Sequence, residues 1–218
     1  MTFVERAREE RDRVYGPPLP GGLLATSTSS ESFWERNEAE LREHFAPEVY
    51  LASSTAKSLF QPAEAPRVED WLLLLDGERL AGVTCGSDSR EQGTYTSGLS
   101  ILHPDYRGRG IYAELQKRLI AYTHALGYRR IESQHAPSNN AVLIAKLRAG
   151  FHVYSLELDA FVGPTLRLRY FHDPDEHAAY LFRNGNATLT SELIRSGFGA
   201  MQLLREQFRA SDESGVVP

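Results

Sequence analysis

Between Leu99 and Tyr128 the chain reads LSILHPDYRGRGIYAELQKRLIAYTHALGY. A β-type run stops at His103-Pro104, Arg107-Gly108-Arg109-Gly110 follows, and a helix opens at once. The first four backbone N–H groups of a helix have no partner within it, and the macrodipole places about half a positive charge there. Gly108 and Gly110 remove the side chains that would block approach to those groups, and both accept positive φ. Arg107 and Arg109 add guanidinium charge suited to phosphate. The chemistry this predicts is capture of an anion, a pyrophosphate above all. The plain alternative is a glycine turn with solvated arginines before an amphipathic helix, and this segment by itself suits both.

The totals narrow what such an anion site can be. A chain of 218 residues, 41% hydrophobic and 24% charged, has the make-up of a globular protein. Its net charge of −5, from 24 Lys+Arg against 29 Asp+Glu, disfavours bulk attraction to nucleic acid or an anionic membrane. The anion site is therefore expected to be local and built from backbone. No apolar run approaches the roughly 20 residues that span a bilayer, and the opening MTFVERAREERDRVYGPP is too charged for a signal peptide. A soluble cytoplasmic protein is expected. The single cysteine, Cys85, excludes an internal disulfide and a Cys-based zinc cluster, and the seven histidines, His172 and His177 among them, show no metal spacing.

The elements that must position the turn follow from pattern. Residues 1–22 are charged and then rich in Pro and Gly, and are read as a loosely docked N-terminal arm. Gly22 to Thr28 suits a first strand. Ser32 with Glu35 forms a capping box for a helix to about Phe45, with a weaker helical stretch over 47–59 and a loop, QPAEAPR, after it. DWLLLLDGERLAGVTCG reads as two strands around Asp76-Gly77, and Gly93 to His103 as a third, together an antiparallel meander. In the helix after Gly110, Ile111, Leu115, Leu119, Tyr122 and Leu126 share one stripe that Gly127 ends. RRIESQHA is a strand and SNNAVLIAKLRAGF a short helix ended by Gly150, which calls for a parallel crossover. FHVYSLELDAF and PTLRLRYF suit a closing antiparallel pair. Asp173-Pro174 starts a helix, and a last helix is expected over about 190–209. The result is a one-domain α/β architecture with helical ends.

Two phosphate-binding patterns can be compared with the turn. Gly108-Arg109-Gly110-Ile111-Tyr112-Ala113 fits G-x-G-x-x-A with Glu132 about 20 residues on, as in a dinucleotide fold. There, however, the strand runs almost directly into the first glycine, whereas Pro104 to Arg107 intervene here and too few strands follow. A P-loop fails because no Gly-Lys-Ser/Thr follows.

HPDYRGRGIY followed by an amphipathic helix resembles the acyl-CoA site of the GNAT superfamily of N-acetyltransferases, whose motif is Arg/Gln-x-x-Gly-x-Gly/Ala. SNNAVLIAKLRAGF, about 30 residues on, resembles the second motif of that superfamily, an asparagine opening a helix that ends in Gly-Phe. The resemblance covers roughly Trp71 to Phe171. It implies a mixed, mostly antiparallel, V-splayed sheet with helices on both faces, to which the C-terminal helices beyond Pro174, outside the resemblance, are added. The expected division is an arm over 1–22, an acyl-CoA N-acyltransferase domain over 23–172 and a helical extension over 173–218. Acetyl-CoA would lie between the strands ending at His103 and His135. Its pyrophosphate would rest on backbone from Arg107 through Gly108, Arg109, Gly110 and Ile111 to Tyr112. The backbone of Ile101 and Leu102 would hold the pantetheine like an added strand, and Asn139 or Asn140 would meet its far end, the spacing to Gly150 favouring Asn139. Two departures stand out. Tyr112 replaces the last Gly/Ala of the motif, so its side chain must point away from the phosphates. Lys146 stands four residues before Gly150, where many members of the superfamily carry a tyrosine that can protonate the leaving thiolate, so that role is unassigned.

Acyl transfer to an amine needs a neutral nucleophile, a polarised thioester carbonyl and a proton for the departing sulfur. The candidates are Glu132, Gln134, His135, Tyr95 and Ser97, with Tyr154 able to reach the sulfur; Glu132 and Tyr154 are the catalytic choices. Alternation places Glu132 and Gln134 on one face and Ser133 and His135 on the other. The bland readings are a Glu132 paired with Arg129 or Arg130, a loop His135 and a packed Tyr154. Cys85, on an apolar strand without an activating partner, reads as a small buried residue. The expected activity is N-acetyl transfer from acetyl-CoA to an amine of a small molecule or protein, with no metal and with homo-oligomerisation left open. A non-catalytic acyl-CoA-binding module is the alternative.

Overall fold

The computed structural model describes residues 1–44, 68–89, 93–159 and 163–185. The expected helix over 47–59, the loop after it and the helix over 190–209 lie outside those residues. The chain divides into two compact units, Met1–Tyr170 and Phe171–Pro218.

Seven strands form one sheet in the order β1-β2-β3-β4-β5-β7-β6. They are β1 Leu24–Ser27, β2 Glu69–Asp76, β3 Arg79–Asp88, β4 Thr94–Leu102, β5 Arg130–His135, β6 His152–Asp159 and β7 Gly163–Phe171. β1 to β4 pair antiparallel in succession, β4 and β5 pair parallel, and β6 and β7 close antiparallel. The meander, the crossover and the closing pair are those the pattern predicts. The first hairpin differs in detail. Asp76 pairs with Arg79, so the two-residue turn is Gly77-Glu78, and of these only Gly77 takes positive φ, as a type II′ turn requires.

The helices of the first unit are α1 Phe3–Tyr15, α2 Ser30–Glu40, α3 Ile111–Leu126 and α4 Asn140–Arg148. Alternation along β2 divides the core between the two faces of the sheet. Leu72 and Leu74 pack with Tyr95, Ile131 and the whole predicted stripe of α3. Leu73 packs with Val83, Ile101 and, from α2, Phe33. The helix α2 is capped by Ser29, which accepts from the Ser32 N–H at 3.1 Å, so Ser32 lies inside the first turn; the helix ends at Glu40, short of Phe45. In the second unit, α5 spans Pro174–Arg183 with Asp173 as its cap, as predicted.

The N-terminal stretch corrects its sequence reading. It is a helix with a full capping box, Thr2 with Glu5, and it is docked. Ala7, Tyr15, Leu19 and Leu23 belong to the main core. Three arginines tie it down. Arg6 donates to the Leu126 carbonyl at 2.6 Å and Arg11 to Asp70 at 3.2 Å. From α3, buried Arg118 donates to the carbonyls of Tyr15, Pro17 and Pro18 at 3.2, 2.5 and 2.8 Å. A guanidinium carries five donors in a rigid fork, which is why one side chain can hold three carbonyls of a Pro-rich bend. Arg118→Met is expected to lower stability by about 3 kcal/mol, read as a shift of the urea midpoint, and to open the bend at Gly16-Pro17 to protease. An unchanged midpoint would show that α1 is held by its apolar face alone.

Candidate active site

The site begins with a break in the sheet. Among the described residues the β4–β5 ladder pairs Thr94–Thr96 with Arg130–Glu132 and goes no further. Just beyond it β4 carries a bulge: Ser97 opposes Gly86 and Ser100 opposes Thr84, so β4 uses three steps where β3 uses two. An extra residue bends a strand and sharpens its twist, here where β4 leaves β5. From Ser97 to Leu102 the β5-side edge of β4 is left without a strand. The His103 N–H donates to the Ala81 carbonyl at 2.9 Å, which fixes the alternation: Ile101 turns its backbone groups toward β3 and Leu102 toward the open edge. Of the two residues expected to meet pantetheine through backbone, the geometry leaves that contact to Leu102. The Ile101 side chain packs in the core on the α2 face.

The turn above this edge is pinned from several sides. Pro104–Tyr106 form one 3₁₀ turn capped by His103, whose Nδ1 accepts from the Asp105 N–H at 3.2 Å. Asp105 pairs with Arg79 at 2.6 Å, and the buried Tyr106 hydroxyl donates to Asp76 at 2.8 Å. Arg79 and Arg109 each lie 5.3 Å from the centre of the Tyr106 ring. The β2–β3 hairpin thus serves as an anchor for the glycine turn. Arg107 Nε donates to the Leu102 carbonyl at 3.0 Å, tying the turn to the open strand edge.

Gly108 and Gly110 take φ of +73° and +77°, and a Cβ added to either would meet nothing within 4 Å. The space around both glycines is open among the described residues, and a left-handed backbone can present successive amides to a ligand. Gly110 is the N-cap of α3 without a side-chain cap. Its carbonyl accepts from the Glu114 N–H at 3.0 Å, and no acceptor among the described residues takes the N–H groups of 108–113. The Arg107 N–H is different. It donates to the Pro104 carbonyl at 3.1 Å, so the cradle starts at Gly108, one residue later than the motif suggested. The Tyr112 side chain is half-buried and its phenol is pushed up by burial. A cradle of bare amides, clear space and two nearby guanidinium groups fits a diphosphate.

At the other side of the opening, Asn139 caps α4, its Oδ1 accepting from the Val142 N–H at 3.4 Å, and Asn140 is exposed. Capping occupies one lone pair of Asn139 and leaves its amide N–H groups for other use.

The acid–base candidates separate by environment. Glu132 forms an ion pair with Arg169 of β7 and lies 4.0 Å from Arg167, so its partners are these and not Arg129 or Arg130. Its carboxylate is committed to the ion pair with Arg169. Tyr154 is not packed in the core; it is exposed, with the Arg169 guanidinium 3.7 Å from its ring centre. The buried Tyr95 hydroxyl is spent on Asp70 at 2.6 Å. His135 shares a bond of 3.0 Å with Ser133, as alternation predicted, and burial with the charge of Lys146 pushes its imidazole down to about 4. Burial pushes the Cys85 thiol up to about 12, which makes it inert. The residue that sequence reasoning left without a role is Lys146, fully buried, with Nζ 3.1 Å from Ser97 Oγ where the strands part. Its signal was a lone lysine in the apolar run AVLIAKL. Glu132→Gln is expected to lower stability by about 3 kcal/mol, because the buried Arg169 loses the carboxylate it pairs with; denaturant unfolding measures this. A stability-neutral Glu132→Gln would count against the pair.

The sequence model of the Acetyltransferase (GNAT) family matches residues 31–151, more than half of the chain. No curated protein matches the sequence. Among solved structures, the ribosomal-protein-S18-alanine N-acetyltransferase of Escherichia coli is similar at a TM-score of 0.54 and 15% identity, over 69% of this chain and 94% of that one. RimJ of Mycobacterium smegmatis, in complex with CoA-disulfide, is similar at a TM-score of 0.53 and 13% identity, over 71% of this chain and 85% of that one. At such identities the likeness is one of fold, and it agrees with the mixed, mostly antiparallel open sheet described above. The match between the family and the stretch that contains both the bare helix start and the capped α4 makes the conclusion plain: the chain belongs to the GNAT family of acetyltransferases.

Proposed function

We propose that the protein transfers the acetyl group of acetyl-CoA to an amine, carried by a small molecule or a protein. The observation that carries the reading is that, among the described residues, the amides over 108–113 have no acceptor, the space at Gly108 and Gly110 is clear and the adjoining strand edge is unpaired. Acetyl-CoA is the co-substrate, and it supplies an activated thioester carbonyl. The amides of Gly108 to Ala113 hold its diphosphate, with Arg107 and Arg109 adding charge. Leu102 takes the pantetheine through its backbone, as a strand edge takes a peptide. The Asn139 amide, fixed by its capping bond, orients the arm from the α4 side. No helix among the described residues is long and apolar enough to cross a membrane, and a cytoplasmic location fits the composition.

An active enzyme is favoured over a binding module by the buried lysine at the point where the strands part, because simple adhesion of a nucleotide does not require a titratable group there.

Gly110→Asp puts a carboxylate over the cradle at a left-handed position. It is expected to weaken CoA binding at least tenfold, about 1.4 kcal/mol, by isothermal calorimetry with the fold checked by circular dichroism. Equal affinity in a folded Gly110→Asp protein would place the diphosphate elsewhere. Thiol release from acetyl-CoA over a panel of primary amines then separates the enzyme from the binding module: turnover with any of them supports the enzyme.

A further inference from the structure

Lys146 is the buried titratable group to which the reading above gives no chemical role. Its side chain is fully enclosed. The groups that face it are Ser97 of β4 at 3.1 Å, the Phe151 ring centre at 4.2 Å and, from the end of β5, His135. No carboxylate pairs with Lys146 among the described residues, so its charge is met only by a hydroxyl and a ring face. Methionine would fill the same space without burying an ammonium.

Its position is as distinctive as its burial. Ser97 is the first residue of β4 beyond the ladder with β5, so Nζ sits at the vertex of the opening. From Leu102, where the turn is tied to the strand, to Ser97 is five residues of extended edge, about 17 Å. An extended arm anchored by a diphosphate on the 108–113 amides and laid along that edge ends beside Nζ. Ser97 also borders a small cavity of about 20 Å³, shared with Asp70, Thr84, Tyr95 and Gln116. That is room for one water. Gln116 Oε1 is buried there without a partner, and Ser97, having accepted from Nζ, needs an acceptor for its own proton.

We propose that Lys146 holds the proton that passes to the coenzyme A sulfur when the acetyl group leaves, with Ser97 and the cavity behind it keeping Nζ in place and reconnecting it to water. This rests on the acetyl-CoA reading above. When the C–S bond breaks, its electron pair goes to sulfur. An N–H bond at Nζ breaks, an S–H bond forms and Lys146 becomes a neutral amine. The acceptor ammonium loses two protons to water in becoming an amide, and Lys146 regains one from water, so each cycle releases one proton. Burial favours the neutral product of this step and pushes the lysine down to about 7.

The test needs no acceptor. Coenzyme A itself is the probe, and the thiolate of the bound molecule is followed by its ultraviolet absorbance from pH 6 to 10. The Lys146–thiol pair loses its first proton near pH 7 and shares the one that remains, so in wild type a first step of thiolate absorbance is expected near pH 7, below the single step of Lys146→Met. Ser97→Ala, which removes the one hydrogen-bond acceptor of Nζ among the described residues, is expected to fall between the two. Identical titrations in wild type and Lys146→Met, with CoA bound to both, would overturn the proposal and leave the cradle intact. Failure of wild type to bind CoA would overturn the acetyl-CoA reading and the proposal with it. Urea unfolding gives a second measurement. The folded lysine binds its proton more weakly than the unfolded one, so wild type gains stability relative to Lys146→Met as pH rises from 7 toward 9. A difference that stays flat with pH would show that Lys146 does not titrate in the fold.

Discussion

The parting of β4 from β5 is the constraint on which the rest of the structure depends. A parallel ladder that continued past Thr96 and Glu132 would close the sheet and consume the backbone groups of Leu102. The bulge between Ser97 and Ser100 prevents this by adding one residue to β4 against β3. One inserted residue therefore both opens an edge that can take an extended ligand and brings Ser97 to the vertex. The sheet gives up hydrogen bonds there, and a ligand that supplies main-chain-like groups can restore them.

The second requirement is rigidity at the mouth. Bare amides bind an anion well only if they are held in place beforehand, and the turn is held by bonds from four directions: Arg79 to Asp105, Tyr106 to Asp76, His103 to the Asp105 amide, and Arg107 to the Leu102 carbonyl. The arginines divide their duties. Arg107 commits its Nε to the strand, while Arg109 leans on Tyr106 with its guanidinium near the turn. Such an arrangement resists the closure of the glycine turn onto its own amides, which its backbone freedom otherwise permits.

How much of this was legible in the sequence depends on how far apart the partners lie. The glycine turn, the stripe of α3 and the Asn139 cap are local, so spacing alone revealed them. The meander and crossover followed from turn signals and the order of periods. The docking of α1 did not, because Arg118 meets backbone carbonyls about 100 residues away and carbonyls carry no sequence signature. The capping box of Thr2 and Glu5 was readable and was outweighed by the charge of the segment. Glu132 was chosen as a catalytic residue, with a pair to Arg129 or Arg130 as the plain alternative; its partner Arg169 lies in a strand whose neighbour in the sheet could not be deduced from order alone. Lys146 was visible as a departure from a motif; only packing reveals that it points inward to Ser97.

The central claim is that the amides at the start of α3 are a diphosphate cradle leading into an open strand edge. Backbone amide chemical shifts, recorded while coenzyme A and then pantetheine are titrated into the labelled protein, test it most directly. The account predicts large shifts over residues 108–113 and at Leu102 with coenzyme A, and shifts at Leu102 without those over 108–113 with pantetheine. Saturation by coenzyme A that leaves 108–113 unmoved would contradict it.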